Sequence, residues 1–402
     1  MVEQWLVEIL KAIGKMFLNP LFYWAFILVI FTGYFRIKGE RMDFGTKIFN
    51  LFSEWKQTWA LSIGFGIFLS IVSIGIGIVF SLETLLLMSI IVILLSMTSR
   101  LNLLSASYTI GLTILLLVFL PPLLKKQSYI DVNFFGEINF SGLALLLALF
   151  LMLEGMMLRR TKRNKTFPVL TKSQRGSWVG AHHVKKMSLI PFIAVVPNGT
   201  ITPFASYWPY LSIGSEQSYS LIVVPFIIGF NYKVISDLPH LVGRRLGNQM
   251  LLLSIIVLAI AVATIWTPQL ILFVVAVALI GKEFINYRHR VTDQSKAPYF
   301  YDVAQGLRIL SIIPGSPADR LDVLVGETIT KVNGKPINHV DAFYYALQEK
   351  GAHFRLDIVD DQGEVRFIQA AMYEGDDHEL GFIFPNDPYS FRAKVPEEIV
   401  SN

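Results

Sequence analysis

One His-Glu pair and one His-His pair are the first candidates for chemistry, because His and Glu close together can hold zinc and activate a water molecule. A metalloprotease helix needs two His four residues apart with a Glu beside the first. His378-Glu379 is followed by Phe382 where the second His would stand, and His182-His183 has no adjacent Glu. The sequence therefore predicts no metal at either pair.

Other catalytic patterns are equally weak. Gly176-Ser177-Trp178 and Gly214-Ser215-Glu216 are isolated, whereas a nucleophilic Ser needs a supporting His or Lys, so we interpret both as glycine turns. The chain has no Cys, which excludes a thiolate nucleophile and a disulfide. Glu83 and Glu154 border apolar stretches, and we interpret them as interfacial carboxylates rather than as an ion path. We expect no catalytic residue and no cofactor.

The elements that would position such side chains are mostly apolar. Of the 402 residues, 53% are hydrophobic and 16% are charged, against about 25% charged residues in a typical soluble domain. Long apolar stretches predict about seven membrane-spanning helices within a multi-pass domain over 18–285. They cover 18–35, 59–80, 82–98, 101–124, 141–158, 250–266 and 269–284. Residues 1–17 have an amphipathic pattern and predict an interfacial segment.

One apolar stretch, 187–230, is interrupted by five prolines and by the turn signal Asn198-Gly199. One interpretation is a single span over 219–230 with an interfacial segment. The other, which we favour, is a broken or re-entrant hairpin, which is tolerated at membrane depth only where protein or water covers its backbone. The span over 59–80 also carries a ridge of small residues at Ser62, Gly66 and Ser70. We interpret this ridge as internal packing, with homo-oligomerisation as the alternative.

Lys and Arg cluster in four short segments, around 36–47, 159–186, 233–245 and 282–290, whereas the loop at Thr267-Pro268 has no charge. The positive-inside rule then places these clusters and the C-terminal end in the cytoplasm and the N-terminus outside. The net charge of +5 fits cytoplasmic loops beside anionic lipids better than nucleic acid.

The C-terminal part has the composition of a soluble domain. We predict a linker over 286–304, a folded domain over 305–385 and a flexible tail over 386–402. The predicted elements are a strand over 306–313, a short helix capped by Ser316, a strand over 325–332, a hairpin turn at Asn333-Gly334, a helix over 340–350 and two strands around 360–363.

This pattern resembles a bacterial PDZ domain. The matching motifs are 313–319 (IPGSPAD), Gly326-Glu327 before a strand, and 332–337 (VNGKPI). The family usually has Gly-Asp where this chain has Gly326-Glu327. The resemblance implies a small α+β domain of circularly permuted order, in which a Gly-containing loop binds a peptide's terminal carboxylate and the peptide adds as a strand beside a helix.

The segment 379–382 looks like that loop, because successive N–H groups form an anion-binding nest and Gly lets the backbone approach closely. The predicted peptide-binding residues are Glu379, Leu380, Gly381, Phe382, Tyr344 and Leu347. The alternative interpretation is that Leu-Gly-Phe is only the closing strand of a core.

The whole layout is similar to the MinJ family of Gram-positive cell-division topology proteins. The similarity includes 15–24 (KMFLNPLFYW), the Pro-rich region from 196 to 225 with Tyr207-Trp208-Pro209, and the C-terminal domain. It implies a non-catalytic membrane adaptor at the division septum and cell poles, with a DivIVA-like polar scaffold and a MinD-like ATPase as partners. Two alternatives stay open: a membrane protease or protease regulator that uses its PDZ domain to choose substrates, and a transporter with a regulatory PDZ domain.

Overall fold

The computed structural model describes residues 2–124, 137–214, 218–349, 353–371 and 380–385. Its helices are α1 (Val2–Met16), α2 (Pro20–Phe44), α3 (Ser53–Lys56), α4 (Trp59–Ile76), α5 (Leu82–Met97), α6 (Ala106–Leu124), α7 (Phe140–Arg159), α8 (Pro239–Ala263), α9 (Ile271–Ser295) and α10 (Val340–Gln348). Its strands are β1 (Phe167–Lys172), β2 (Trp178–Ile201), β3 (Tyr219–Val234), β4 (Leu307–Arg308), β5 (Ser311–Ile312), β6 (Thr328–Val332), β7 (Lys335–Pro336), β8 (His353–Val359), β9 (Val365–Ala371) and β10 (Phe382–Ile383).

Every apolar stretch predicted to be a spanning helix is helical, as α2 and α4 to α9. Within the described residues, five helices are long and apolar enough to cross a membrane, namely α2, α4, α7, α8 and α9, while α5 and α6 are shorter apolar helices. Apolar side chains such as Ile67 and Ile71 are exposed on the outside of the bundle, and α7 is buried along most of its length. We call residues 2–295 the helical domain.

The predicted helical span over 219–230 is wrong. The segment 187–230 does turn back on itself, but its two arms are the strands β2 and β3 rather than broken helices. They pair in antiparallel register from His182 opposite Val234 to Pro197 opposite Tyr219, and β1 adds a third strand beside the start of β2. Both arms are rich in β-branched and aromatic residues, which favour a buried strand.

Three of the five prolines that suggested a broken helix lie in the strands of this hairpin, namely Pro191, Pro197 and Pro225, whereas Pro203 and Pro209 lie in the loop between β2 and β3. Pro191 lies opposite Pro225, and the backbone groups of its strand neighbours Met187 and Ile193 point away from β3, towards α4. Alternate residues of a strand share one edge, so Pro191 faces outward as well. A proline there removes an N–H group that would otherwise need a partner in an apolar layer.

The small-residue ridge of α4 covers this outer edge of β2. The hydroxyl of Thr58 donates to the Met187 carbonyl at 3.0 Å, and the Ile193 amide donates to the Ser70 hydroxyl at 2.9 Å. Gly66 lies directly against the carbonyl of Pro191. The ridge therefore packs internally, against a strand. Its Ser70 hydroxyl, together with that of Thr58 just before α4, satisfies backbone groups on this strand edge.

The N-terminal helix α1 packs on the far end of the hairpin through apolar side chains such as Ala12 and through one polar group. Buried Glu8 accepts hydrogen bonds from Ser220 at 2.8 Å and from Thr200 at 3.0 Å. Leu6 and Leu10 on the opposite side are exposed. An exposed apolar stripe beside the spanning helices is the arrangement expected of an interfacial helix.

The linker predicted over 286–304 is mostly absent, because α9 continues without a break to Ser295. The residues after α9 are also held in place. The Gly180 amide of β2 donates to the Phe300 carbonyl at 2.8 Å, the Tyr299 amide donates to Ile235 at 2.8 Å, and the Phe300 side chain is fully buried. Local polarity predicts a flexible linker here because the contacts that order the segment come from residues far away in the chain.

The C-terminal domain, residues 306–385, is a small α+β fold. β4, β6, β8 and β9 form one sheet in that order with β7 beside β6, and β5 pairs with β10 in a second. The predicted strand over 306–313 is split, because the Ile309 amide bonds to Glu327 whereas the Leu310 amide bonds to Ile383 in the other sheet. The turn at Asn333-Gly334 is confirmed by positive φ angles at both residues.

Two further expectations fall at the edges of this domain. Ser316 precedes a 3₁₀ helix at Pro317–Arg320, but its buried hydroxyl makes no hydrogen bond to any residue that the structure describes, so the predicted cap is not formed. The predicted tail over 386–402 lies outside the described residues.

Candidate peptide-binding site

The strand β10 closes the C-terminal domain beside helix α10. Phe382 lies opposite Ile312 of β5, and the Ile313 amide donates to the Gly381 carbonyl at 2.9 Å. Because hydrogen-bonding direction alternates along a strand, the N–H and C=O groups of Phe382 point to the edge opposite β5. The Phe343 ring of α10 lies 6.1 Å from the Phe382 ring. An added peptide strand would therefore lie between β10 and α10.

The turn that leads into β10 requires glycine. Gly381 has φ +89°, and a β-carbon there would lie 2.4 Å from the Ser316 side chain. The Ala318 amide donates to the Leu380 carbonyl at 2.8 Å and fixes the turn from the other side. The close neighbour of Gly381 is thus Ser316 of the same domain, and the approach of a peptide to this loop stays a prediction.

The predicted lining residues divide into two groups. Leu380, Phe382 and Leu347 are buried together in the domain's hydrophobic core, while Tyr344 is half-buried and packs at the margin of that core. Glu379 lies outside the described residues. Burial of the first three also fits the interpretation of β10 as a closing strand. The backbone edge of β10 that does not pair with β5, together with Tyr344, is the part of this region that would meet a peptide.

The chain has Gly326-Glu327 where the PDZ family usually has Gly-Asp, and the structure shows what the Glu contacts. Buried Glu327 accepts two hydrogen bonds from Arg366, at 2.6 and 2.7 Å, and one from the Leu324 amide at 2.8 Å. The longer carboxylate thus ties the loop before β6 to strand β9. Its role lies in the fold of the domain and not in the peptide site.

The C-terminal domain is docked on the helical domain through the loop after α7, which the sequence marks only as a cluster of positive charge. The Arg163 guanidinium donates to both oxygens of Asp361, at 2.5 and 2.7 Å, and its Nε donates to the Val325 carbonyl at 2.6 Å. The Asn164 side chain donates to the Val323 carbonyl at 2.8 Å and accepts from the Val325 amide at 3.0 Å.

Apolar packing completes this contact. Gly180 allows Leu310 and Phe300 to approach so closely that a β-carbon there would lie 2.6 Å from the Leu310 side chain. Leu310, Val325 and Ile383 of the C-terminal domain join one buried cluster with Phe49 and Phe167 of the helical domain. The carboxyl end of β10 therefore lies beside the interface between the two domains.

The His182-His183 pair lies next to this interface. Burial lowers the pKa of His182 to about 3 and that of His183 to about 4. His182 Nδ1 lies 2.9 Å from the Thr166 hydroxyl and its ring packs 4.9 Å from Phe300, whereas His183 Nδ1 lies 2.7 Å from Asn231. The two rings are separated because consecutive strand residues point to opposite faces.

The two Gly-Ser pairs and Glu154 are further residues that the sequence analysis considered for chemistry. Gly176 has φ +84° in the turn before β2, which confirms the glycine-turn interpretation of the first Gly-Ser pair, while Ser215 lies outside the described residues. The interpretation of Glu154 as an interfacial carboxylate is wrong. Its side chain is fully buried, where it accepts hydrogen bonds from Lys282 and from Ser105. Lys282, which the sequence analysis assigned to a cytoplasmic cluster, is also buried, where it pairs with Glu154.

Comparisons with known proteins agree with this architecture. Residues 308–360 match the model of the PDZ domain family. The chain is 34% identical over 389 residues to the "Cell division topological determinant MinJ" of Bacillus subtilis, covering 96% of this chain and 97% of that protein. It is 24% identical to the "Probable cell division topological determinant MinJ" of Lacticaseibacillus paracasei over 63% of this chain and 68% of that protein.

A shorter similarity, 35% identity over 60 residues, is to the "Putative protease Do-like 14" of Arabidopsis thaliana, and it covers 14% of each chain. The two long similarities are to proteins named as topological determinants, not as enzymes. A helical domain with several apolar helices, a C-terminal PDZ domain and near-complete coverage of the Bacillus protein together show that this chain belongs to the MinJ family of cell-division topological determinants.

Proposed function

We propose that this protein is a non-catalytic membrane adaptor that holds division-site selection proteins at the cytoplasmic membrane. The observation that carries the proposal is the outward backbone edge of β10 beside α10, in a PDZ domain docked on a helical domain. A partner's C-terminal tail adds to this edge as a strand, and its carboxylate meets the N–H groups near Gly381. Tyr344 contacts the last side chain of the tail.

The partners that fit a topological determinant are a DivIVA-like polar scaffold and a MinD-like ATPase. One of them is captured by the PDZ domain and the other by the helical domain. Holding both on one anchor raises their effective concentration towards each other without any reaction. The protein then concentrates at the septum and the poles because its partners do.

A multi-pass arrangement with a cytoplasmic PDZ domain is part of this proposal. Arg36, Lys186, Lys233 and Arg290 all lie at the end of the bundle that carries the PDZ domain. The opposite end carries α1 and the uncharged turn at Thr267. Basic residues on one side support a cytoplasmic location for that side.

The peptide site is tested by titrating the full-length protein, in neutral lipid nanodiscs, with fluorescent peptides that copy the C-terminal tails of division proteins. We expect binding to depend on a free carboxylate, so that an amidated peptide binds far more weakly. Tyr344→Ala should weaken binding about tenfold, as expected for loss of an aromatic contact. Equal binding of free and amidated peptides would contradict carboxylate recognition.

The matched control is Tyr345→Ala, because this neighbouring ring is 72% exposed on the outer side of α10. We expect peptide affinity to be unchanged in this variant. A fluorescent fusion in living cells tests the adaptor role itself. We expect enrichment at mid-cell and poles, and a uniform membrane signal would count against it.

A further inference from the structure

A polar cavity of about 570 Å³ opens at the PDZ-bearing end of the helical domain. Its lining comes from the segment 99–103 between α5 and α6, from Tyr108 in the first turn of α6, from the end of β3 and from the second half of α9. This volume is in the usual range of small-molecule sites. It belongs to neither the peptide-binding edge of β10 nor the docking contact.

Four basic side chains line the cavity, namely Arg100, Lys233, His289 and Arg290. Lys233 donates to the Thr171 hydroxyl at 2.7 Å, and His289 Nε2 lies 2.9 Å from the Lys233 carbonyl. Arg100 and Arg290 are exposed, and neither guanidinium pairs with a carboxylate in the part of the chain that the structure describes. These two guanidinium groups are therefore available to a ligand.

Two carboxylates also line the cavity, and both have partners in the protein. Asp293 accepts hydrogen bonds from the amides of Ile235 and Ser236, at 3.0 to 3.1 Å, and from the Ser236 hydroxyl at 2.8 Å. Glu283 accepts a hydrogen bond from the Tyr108 hydroxyl. These donors are neutral, so both carboxylates keep their charge. With three cationic side chains, Arg100, Lys233 and Arg290, the lining still carries a net charge of +1 when His289 is neutral.

The sides of the cavity continue into exposed apolar surface. On α5, Leu94 and Met97 are 58% and 65% exposed, and they precede Arg100 by one or two turns. On α9, Ile280 and Phe284 are 68% and 60% exposed beside Glu283. A ligand with an anionic head and a long apolar tail satisfies both parts of this surface at once.

We propose that the cavity binds the headgroup of an anionic phospholipid, with its phosphate at Arg100 and Arg290 and its acyl chains along the exposed side chains of α5 and α9. Guanidinium groups bind phosphate oxygens through paired, charge-assisted hydrogen bonds. Basic pockets between helix ends are suited to this class of lipid. The inference stands on this cavity alone and does not require the peptide site.

The test uses native mass spectrometry of the full-length protein in neutral detergent, titrated with phosphatidylglycerol or phosphatidylcholine. We expect phosphatidylglycerol to be retained in preference to phosphatidylcholine. Arg100→Gln and Arg290→Gln should each weaken phosphatidylglycerol binding about fivefold, which is the usual contribution of one basic residue near a lipid surface. Arg100→Lys keeps the charge but not the paired hydrogen bonds, so it should weaken phosphatidylglycerol binding less than Arg100→Gln, which separates loss of charge from loss of fold.

The matched control is Arg288→Gln, because Arg288 is exposed on the same helix and does not line the cavity. Retention equal to that of the unsubstituted protein is expected in this control. Equal retention of the two lipids, or an equal effect of the substitutions at Arg288 and Arg290, would overturn the proposal. Complete displacement of the lipid by millimolar inorganic phosphate would assign the cavity to a soluble phosphate compound instead.

Discussion

Gly66 of α4 and Pro191 of β2 touch through their backbones. A β-carbon at Gly66 would lie 2.2 Å from the Pro191 carbonyl oxygen. The helix thus lies against the strand edge at a level where proline supplies no N–H group to be satisfied. This contact is one of the closest between the bundle and the β-hairpin, and it makes Gly66 a position where even one methyl group is not accommodated.

We expect Gly66→Ala to lower the free energy of unfolding by about 1–3 kcal/mol, because the added methyl group must displace backbone. The measurement is the thermal midpoint of the full-length protein in detergent. Gly64→Ala is the matched control, since a β-carbon at Gly64 would meet no atom within 4 Å. A midpoint for Gly66→Ala equal to that of the control would show that helix and strand can separate at no cost.

Lys282 and Glu154 form a second connection, between α9 and α7, and the Tyr232 hydroxyl accepts from Lys282 at 2.9 Å. Lys282→Met should destabilise the protein by about 3–5 kcal/mol, because it leaves the Glu154 carboxylate buried and uncompensated. The double variant Lys282→Met, Glu154→Leu should recover much of this loss. Chemical denaturation of the full-length protein provides the measurement.

An exposed ion pair provides the control for that prediction. Lys335 and Glu349 lie 2.5 Å apart, but their side chains are 58% and 55% exposed. We expect Lys335→Met to change stability by about 1 kcal/mol or less. If the double variant at 282 and 154 were no more stable than Lys282→Met alone, the loss would come from packing rather than from an unpaired charge.

Arg163 is the polar centre of the contact between the two domains. Arg163→Ala removes three hydrogen bonds to Asp361 and Val325, and we expect the C-terminal domain to separate more often from the helical domain. Hydrogen exchange at the Gly180 amide, which bonds to Phe300, should accelerate about tenfold or more, as expected from loss of roughly 1.5–3 kcal/mol. Arg160→Ala, at an exposed side chain in the same loop, should leave this rate unchanged.

The buried histidines predict a pH dependence. Burial holds the pKa of His182 at about 3, below its ordinary value of about 6.5. The unfolded chain therefore takes up a proton as the pH falls through 6.5, while the folded chain does not. The stabilising contribution is complete above about pH 6.5 and is lost as the pH falls towards 3.

Between pH 7.5 and pH 5, this difference amounts to about 2 kcal/mol for His182 as an order of magnitude. We expect the thermal midpoint of the full-length protein to fall over that range and the fall to be smaller in His182→Phe. His339→Gln, at an exposed histidine before α10, is the control for loss of an imidazole. An identical fall in His182→Phe and in the unsubstituted protein would contradict the assignment.

The sequence patterns are most informative where one physical requirement dominates. The helices α2 and α4 to α9 follow from apolar length alone, because a bilayer admits few other solutions. The turn at Asn333-Gly334 follows from the need for two positive φ angles. The contact between Gly381 and Ser316 is not recognisable from sequence, and the predicted approach of a peptide to Gly381 stays a prediction.

The hairpin is hard to recognise from sequence because proline is usually a helix breaker. Pro191 and Pro197 are six residues apart, so they share one edge of a strand, and Pro225 lies opposite Pro191. Prolines separated by an even number of positions, in a sequence rich in β-branched residues, indicate a strand. The roles of Lys282 and Arg163 have no local signal, because their partners, Glu154 and Asp361, are more than a hundred residues away in the chain.

The connection between the helical domain and the PDZ domain is ordered, because α9 runs without a break to Ser295 and Phe300 after it is buried. A flexible connection of similar length would let the peptide site sweep a wide volume. If β10 binds a partner's tail as proposed, the reach of the complex is set by that tail, and a partner with a short tail would be captured only when it already lies close to the membrane surface.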